Sequence, residues 1–334
     1  MICLLAAPLA VFAQSGNNTE QQTQSQDQNT QYQADGQTVQ LFLPEPWYQS
    51  VPDANWRAED TNAGDEAEPP DQSDQSLVNG PDDWVHRWRR GVDKTRSEQP
   101  HYVAPLITTH VLLVEQFRFD TQYQTGANGY ETSNYGAGHG LEIIPNTRME
   151  VQVGIPPYLF HDQPNVASGF GDVSIFLKLR LLSAPEGKGG YFVGIFLGGS
   201  FPTGAPPNGL NHTVWTPMFA AAKRWGFFDW QTNLAGVLPQ SGTVTLGRQI
   251  LFNNTFQFST IKNHLWPELE QNSTFFVDGP NSGKSQTFLT PGLLIGPFQI
   301  AERLHFELGG GIQIAVSQFH QYNHRWIWTV RFPF

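Results

Sequence analysis

Apolar and polar residues alternate along much of the chain after residue 100, and a two-residue period is typical of β-strands. The C-terminal segment 324–334 shows this most clearly, with one apolar, aromatic face and one largely polar face. In water such a terminal face would promote aggregation, whereas the outer face of a membrane barrel contacts lipid. We therefore predict a lipid-facing terminal strand. Its assembly signal would consist of Trp326, Trp328, Phe332 and Phe334.

Further strand-like segments precede it and are separated by turn residues. Residues 148–155, 172–181 and 304–316 alternate cleanly. The other segments cover residues 109–123, 135–144, 191–201, 215–225, 228–238, 250–260, 268–277 and 288–295, several with blurred alternation. The count is about twelve, with ten or fourteen as open alternatives. The predicted fold class is all-β, a transmembrane antiparallel up-and-down β-barrel at residues 101–334.

The connections between these segments alternate in length. Those after even-numbered strands are mostly short, and those after odd-numbered strands are mostly longer. Outer-membrane barrels have short periplasmic turns and longer external loops. An even strand count would therefore place both ends of the chain on the periplasmic side.

The composition fits a barrel wall. Outside the N-terminus no stretch approaches the roughly 20 consecutive apolar residues that a membrane-spanning helix needs. The mean hydropathy is −0.37, because alternating residues cancel in an average, while Gly (32), Phe (24) and Trp (10) are abundant. These features exclude a helical membrane protein.

The N-terminal part of the chain differs from the rest. Residues 1–13 resemble a secretory signal peptide and contain the one cysteine, Cys3, although the usual basic start is missing, so a start further upstream or a buried strand stays open. Residues 1–100 hold 16 acidic and 6 basic residues, against 14 and 13 in residues 101–334. We predict that the Gln/Asn-rich residues 14–100 form a largely disordered acidic periplasmic segment or a plug. Trp84, Trp88 and their basic neighbours would bind anionic headgroups or a partner, or form a solvated linker.

In a membrane barrel, charged side chains are tolerated at the alternate strand positions that face the interior and are otherwise occupied by polar residues. That alternation predicts a lumen lined by Glu150, Lys178, Arg180, Glu268, Glu270, Glu307 and Arg331. Glu268 and Glu270 would lie side by side, either tuning each other's ionisation or pairing with Arg or Lys on neighbouring strands. The mixture of signs argues against strong selectivity for one sign of ion.

The sequence contains no motif for an enzyme, a metal or a cofactor. Gly-x-Ser-x-Gly, His-Glu-x-x-His, phosphate-loop and Cys-x-x-Cys patterns do not occur. His320 and His324 are four residues apart but flank a predicted loop, which favours incidental polar residues over metal ligands. We therefore expect no catalysis, no metal and no cofactor.

Residues 169–182, which begin Gly-Phe-Gly-Asp, resemble a strand of the Gram-negative outer-membrane transporters of the phenol-degradation (meta-pathway) type. Residues 148–156 resemble the strand before it, and the resemblance extends over residues 105–334. It implies passage of small compounds, including aromatic or hydrophobic ones, across the outer membrane. It carries over no binding residue, and the long acidic N-terminal segment departs from the family pattern.

The predicted function is an outer-membrane channel for passive passage of small solutes. A twelve-strand barrel is narrow enough for lumen side chains to select what passes. The expected partners are outer-membrane lipid, the barrel-assembly machinery and small solutes, without nucleic acid. The alternative is a non-transporting anchor or envelope-interaction protein, and an outer-membrane enzyme comes third.

Overall fold

The computed structural model describes residues 81–261 and 263–334, with side chains from residue 84 onward. The predicted signal peptide and the predicted acidic segment up to residue 80 lie outside the described residues. The described chain begins with helix α1 (Pro81–Ser97), and a second, short helix α2 (Thr243–Leu246) lies in a loop. All fifteen described strands belong to one antiparallel sheet.

The strands follow one another around the sheet as a series of hairpins. Their bounds are β1 (Gln116–Gly126), β2 (Glu131–Gly136), β3 (Gly140–Asn146), β4 (Met149–Gly154), β5 (Tyr158–His161), β6 (Gly169–Phe170), β7 (Val173–Ala184), β8 (Tyr191–Phe201), β9 (Val214–Trp225), β10 (Phe228–Pro239), β11 (Gln249–Phe258), β12 (Leu265–Phe276), β13 (Ser285–Gln299), β14 (His305–Ala315) and β15 (Tyr322–Pro333).

Three breaks divide spans of the wall into two strands each. β2 continues into β3, β4 into β5 and β6 into β7, so fifteen strands less three breaks give twelve spans. Gly136, Ala137 and Gly138 interrupt the first of these spans with φ angles of 92°, 49° and 76°, which regular strands do not contain. Pro156 and Pro157 interrupt the second, because proline has no N–H group for the ladder.

The sheet closes on itself. β1 pairs with β15 from Gln116 opposite Pro333 to Gly126 opposite Tyr322. Closure leaves no free edge, which is how barrels avoid edge-to-edge association. The predicted antiparallel barrel of about twelve strands is confirmed.

Side chains of each strand alternate between an apolar outer face and the interior. On β7, Ile175, Leu177 and Leu179 point outward and are 38–40 % exposed, whereas Phe176 and Lys178 between them are buried. This is the pattern of a wall whose outer face meets hydrocarbon.

The connections at the two ends of the barrel differ in length. Residues 147–148, 185–190, 226–227, 259–264 and 300–304 connect strands at the end where β1 begins and β15 finishes, here called the terminal end. Residues 127–130, 162–168, 202–213, 240–248, 277–284 and 316–321 connect them at the opposite end, here called the loop end. The loop-end connections are mostly longer, as the sequence predicts.

The structure corrects two boundaries near the start of the barrel. Residues 81–97, placed by the sequence in a largely disordered segment, form α1, which buries Val92 and Thr95. The first strand begins at Gln116 instead of Thr109, because the apolar residues before it lie inside the barrel. A composition averaged over 100 residues conceals a short amphipathic helix. A run of apolar residues alone does not distinguish a strand of the wall from a segment inside the barrel.

Candidate functional site

The lumen of the barrel is occupied by residues 98–115, here called the interior segment. Every residue from 102 to 115 is buried, although none belongs to a helix or strand. A buried segment without secondary structure must find other partners for its backbone N–H and C=O groups. Those partners identify the parts of the wall that hold it.

Two carboxylates on β12 accept hydrogen bonds from three successive backbone N–H groups. Leu106 N lies 3.1 Å from Glu268 Oε1, and Ile107 N lies 2.8 Å from Glu270 Oε1. Thr108 N donates to Glu270 Oε2. Among the described residues, neither carboxylate forms a salt bridge with Arg or Lys, so the expected pairing with a cation across strands is wrong. Backbone donors take the place of the cation.

Two guanidinium groups hold the carbonyl groups of the same stretch. Arg331 on β15 donates to the carbonyl oxygens of Ala104 and Pro105 at 2.8 and 2.9 Å. Arg118 on β1 donates to the carbonyl oxygen of Leu106 at 2.9 Å. Hydrogen bonds to charged groups contribute about 1.5–3 kcal/mol each. The four side chains Arg118, Glu268, Glu270 and Arg331 are here called the charged clamp.

Leu106 lies in a recess formed by glycines on β13 and β14. A Cβ atom at Gly292 would lie 2.5 Å from Leu106 Cδ1, and one at Gly311 would lie 2.6 Å from the same atom. At Gly309 it would lie 3.3 Å from Leu106 Cδ2. Side chains at these positions would occupy the space of Leu106, which is fully buried. Gly292, Gly309 and Gly311 are here called the glycine recess.

The wall contacts the interior segment again further along. Lys178 on β7 donates to the carbonyl oxygen of Leu112 at 3.3 Å, and Val114 N donates to Glu150 Oε2 on β4 at 2.6 Å. Lys178 and Glu150 also form a salt bridge of 2.8 Å. Lys178 and Glu150 thus each contact both a side chain of opposite charge on the neighbouring strand and the backbone of the interior segment.

Most interior charges are paired within the wall. Arg118 Nε donates to Asp120 Oδ1 at 2.6 Å, and Arg331 lies 3.8 Å from Glu307. Removing one partner of such a buried pair costs about 3–5 kcal/mol, because the other charge is left uncompensated. The charged clamp is therefore fixed in place by neighbours as well as by the segment that it holds.

A second set of contacts lies at the terminal end, where α1 leads into the interior segment. Arg180 donates to the carbonyl oxygen of Thr95 at 3.0 Å and to Glu98 at 2.7 Å. His101 N donates to Glu186 at 2.7 Å. Burial disfavours the ionised form of Glu186, but the hydrogen bonds from His101 outweigh it and hold the pKa of Glu186 below its usual value.

All seven residues predicted to line the lumen are buried and face the interior. They are Glu150, Lys178, Arg180, Glu268, Glu270, Glu307 and Arg331. Six of them contact the interior segment or its junction with α1, and Glu307 is next to Arg331. Their part in a path for solutes stays a prediction.

Three of the predicted assembly residues lie on β15, and Phe334 directly follows that strand. Trp326 and Trp328 are exposed on the outer face, and Phe332 and Phe334 are half-buried. Phe334 N donates to the carbonyl oxygen of Glu115 at 3.1 Å, so the last residue contacts the end of the interior segment. The role of these residues in assembly stays a prediction.

Sequence reasoning missed Leu106 and the glycine recess. The signal was the presence of glycine at Gly292 on β13, where the alternation is blurred, and at Gly309 and Gly311 on β14, where the alternation is otherwise clean. Its meaning depends on register, because Gly292 lies opposite Gly311 on the neighbouring strand. Sequence spacing alone does not place a leucine against them.

The described residues form no group of three or more His, Cys, Asp and Glu side chains that could hold a metal ion. His320 Nε2 lies 3.1 Å from Asn323 Oδ1, and His324 Nε2 lies 3.4 Å from Thr125 Oγ1. Within the part of the chain that is described, the helices are also too short or too polar to cross a membrane.

Comparison with known proteins finds similarity among solved structures. No protein-family model and no curated protein matches the chain. An outer membrane channel from Pseudomonas putida F1 is 11 % identical, with a TM-score of 0.48 over 67 % of this chain and 97 % of that one. A chain from work on in-meso crystallization of membrane proteins is 11 % identical (TM-score 0.38; 66 % and 84 %). OmpT, an outer membrane protein of Vibrio cholerae, is 9 % identical (TM-score 0.27; 66 % and 96 %).

Proposed function

We propose that this chain is an outer-membrane channel for the passive passage of small solutes and that the interior segment closes it. In this proposal the barrel lies in the outer membrane of a Gram-negative cell, and its apolar outer face contacts lipid. The charged clamp and the glycine recess hold the channel shut, and the channel opens when the interior segment leaves the lumen.

The observation that carries the proposal is that the lumen is filled by a segment that is not part of the wall. Residues 98–115 belong to none of the strands, so their departure would leave the ring of β1–β15 closed. A barrel that serves only as an anchor can fill its lumen with wall side chains. Here the wall instead keeps the glycine recess free for Leu106, which supports a removable closure.

The inward residues support passage of small polar or dipolar solutes without a strong preference for one sign of charge, because both signs occur on the wall. We also propose aromatic compounds as a solute class. The resemblance of residues 148–156 and 169–182 to transporters of the phenol-degradation type supports it. So does the buried pair Phe288 and Tyr322 at the loop end, whose rings stack with centroids 4.3 Å apart.

The proposal includes the expected partners. Outer-membrane lipid would surround the wall, and the barrel-assembly machinery would recognise the aromatic terminal strand. We propose no enzymatic activity and no cofactor. The alternative function, a non-transporting anchor, is favoured by the complete burial of residues 102–115, which leaves the present state closed.

The test is planar-bilayer conductance of the purified full chain. Leu106→Asp puts a charge into the glycine recess beside Glu268 and should displace the interior segment without changing the wall, so conductance and solute uptake by liposomes should rise many-fold. Val244→Asp is the matched control, because Val244 is 83 % exposed in a loop. Heat-modifiable migration on gels reports whether each variant has folded.

Two outcomes would contradict the proposal. If Leu106→Asp folds and stays as closed as wild type, the interior segment is not the closure held by the recess. If variants lacking residues 98–115 fold and still pass neither ions nor solutes, transport fails and the anchor function replaces it.

A further inference from the structure

The outer face of β10–β13 carries neutral polar side chains within the apolar belt. They are Trp230, Asn254, Gln271, Ser273 and Thr287, here called the polar seam. β10, β11 and β12 lie in three of the segments whose alternation is blurred in the sequence. The blurring at Asn254, Gln271 and Ser273 reflects polar residues on the outward parity.

A chain of hydrogen bonds connects the polar seam across four strands. Trp230 Nε1 donates to Asn254 Oδ1 at 3.2 Å, and Asn254 Nδ2 donates to Gln271 Oε1 at 2.7 Å. Gln271 Nε2 donates to Ser273 Oγ at 2.5 Å, and Ser273 Oγ lies 2.8 Å from Thr287 Oγ1. The seam is therefore one connected network about 14 Å wide at the usual spacing of strands.

The polar seam lies among large apolar residues that are open to the surroundings. Leu234, Phe252, Leu269 and Phe275 are 40–51 % exposed on the same face. Polar side chains at such a position are costly in hydrocarbon unless they find hydrogen-bond partners. The internal network lowers that cost without removing it.

The Gln271 amide of the polar seam retains capacity for further hydrogen bonds. A primary amide has two donor hydrogens and an oxygen with two lone pairs. Asn254 is buried, whereas Gln271 is partly exposed and uses one lone pair and one hydrogen in the contacts above. Lipid offers no partner for the second donor and the second lone pair of Gln271.

We propose that the polar seam is the interface with a second copy of this chain in the membrane. This inference rests on the proposed membrane location and is independent of solute passage. A two-fold axis pairs a surface with itself, and a patch with equal donors and acceptors is complementary to itself. The seam is uncharged, so two copies do not repel each other. A lipid acyl chain has no hydrogen-bonding group and therefore cannot take the place of the second copy. The exposed apolar residues around the polar seam would pack at the periphery of the interface.

The experiment is disulfide cross-linking of the full chain in membranes, in a Cys3→Ser background. Gln271→Cys places a thiol in the centre of the seam, and a two-fold axis brings it close to its copy. The control is Val153→Cys on β4, which is 49 % exposed and six strands from β12 in either direction around the barrel. Oxidation should give a covalent dimer for Gln271→Cys and leave Val153→Cys monomeric.

A second measurement uses a variant without an introduced thiol. Gln271→Leu should leave the barrel folded, because this position faces outward and is partly exposed. A two-fold axis gives two hydrogen bonds between the paired Gln271 amides, and their loss should weaken the dimer roughly tenfold, as measured by sedimentation equilibrium in detergent.

Several results would overturn the inference. Equal cross-linking at positions 271 and 153 would show random collision, and a cross-linked product with another protein's mass would show a different partner. A folded, membrane-inserted Gln271→Cys barrel that gives no dimer would exclude the interface. A failure of the proposed membrane location differs from these, because no heat-modifiable barrel would then be found in the membrane fraction.

Discussion

Replacing Leu106 by alanine should open the channel by emptying the glycine recess. Leu106 is fully buried, and truncation of a buried leucine costs about 2–5 kcal/mol. The interior segment makes this contact only when it is in the lumen, so the cost falls on the closed state. A loss of about 3 kcal/mol would raise the ratio of open to closed channels roughly 100-fold.

Gly292→Ala should change the open fraction in opposite directions in the wild type and in the Leu106→Ala variant. In the wild type its Cβ would lie 2.5 Å from Leu106 Cδ1, so the leucine must move and the open fraction should rise. In Leu106→Ala the same methyl group enters space that the leucine has left, and the open fraction should fall. Residues in direct contact show such non-additivity, whereas distant ones do not.

The assay is single-channel recording of the four proteins of this double-mutant cycle, with heat-modifiable migration as the check on folding. The reasoning is refuted if Leu106→Ala opens no more often than the wild type. It is equally refuted if Gly292→Ala has the same effect in both backgrounds, since the recess would then not hold the interior segment.

Three further predictions concern the wall, the chain end and pH. Leu177→Arg should lower the free energy of unfolding by roughly 2–4 kcal/mol in a refolding titration, because the charge enters lipid. Val244→Arg, in an exposed loop, should not lower it. Equal effects of the two substitutions would mean that Leu177 does not face lipid. Deleting Phe334 should reduce the heat-modifiable form in membranes, and normal abundance of the deletion would exclude an assembly role. The pKa of Glu186 is lowered in the folded state, so its contribution to holding the interior segment is present at neutral pH and is lost as pH falls through that lowered pKa. Conductance should therefore rise in acid, and Glu186→Gln should reduce this pH dependence; an unchanged pH profile would exclude Glu186 as its source.

The orientation of side chains across the wall could be predicted from the sequence because it depends on local geometry. Parity alone separated outward Leu177 from inward Lys178, and it placed Glu268 and Glu270 on the inside together. A strand imposes this alternation whatever its neighbours are. The strand break at Gly136–Gly138 fell within a segment that was still recognisable, whereas the two prolines lie directly after the end of the predicted segment 148–155.

The contacts of those inward residues could not be predicted in the same way. Leu106 and Glu268 are separated by 162 positions in the chain, and their hydrogen bond joins a backbone N–H group to a side chain. Backbone groups have no signature in the sequence, so Glu268 and Glu270 suggested cations as partners. The apolar residues before Gln116 likewise fitted a strand as well as a buried segment.

By itself the sequence determined a closed antiparallel barrel with an apolar outside, a charged inside and an aromatic terminal strand, because each of these follows from the two-residue period of a strand. Tertiary structure decided what lies within that barrel. Only the register of β13 against β14 brings Gly292 and Gly311 together, and only the path of the chain through the lumen brings Leu106 to them. Periodicity fixes which way a side chain points, whereas the partner that it meets depends on how distant parts of the chain are arranged in space.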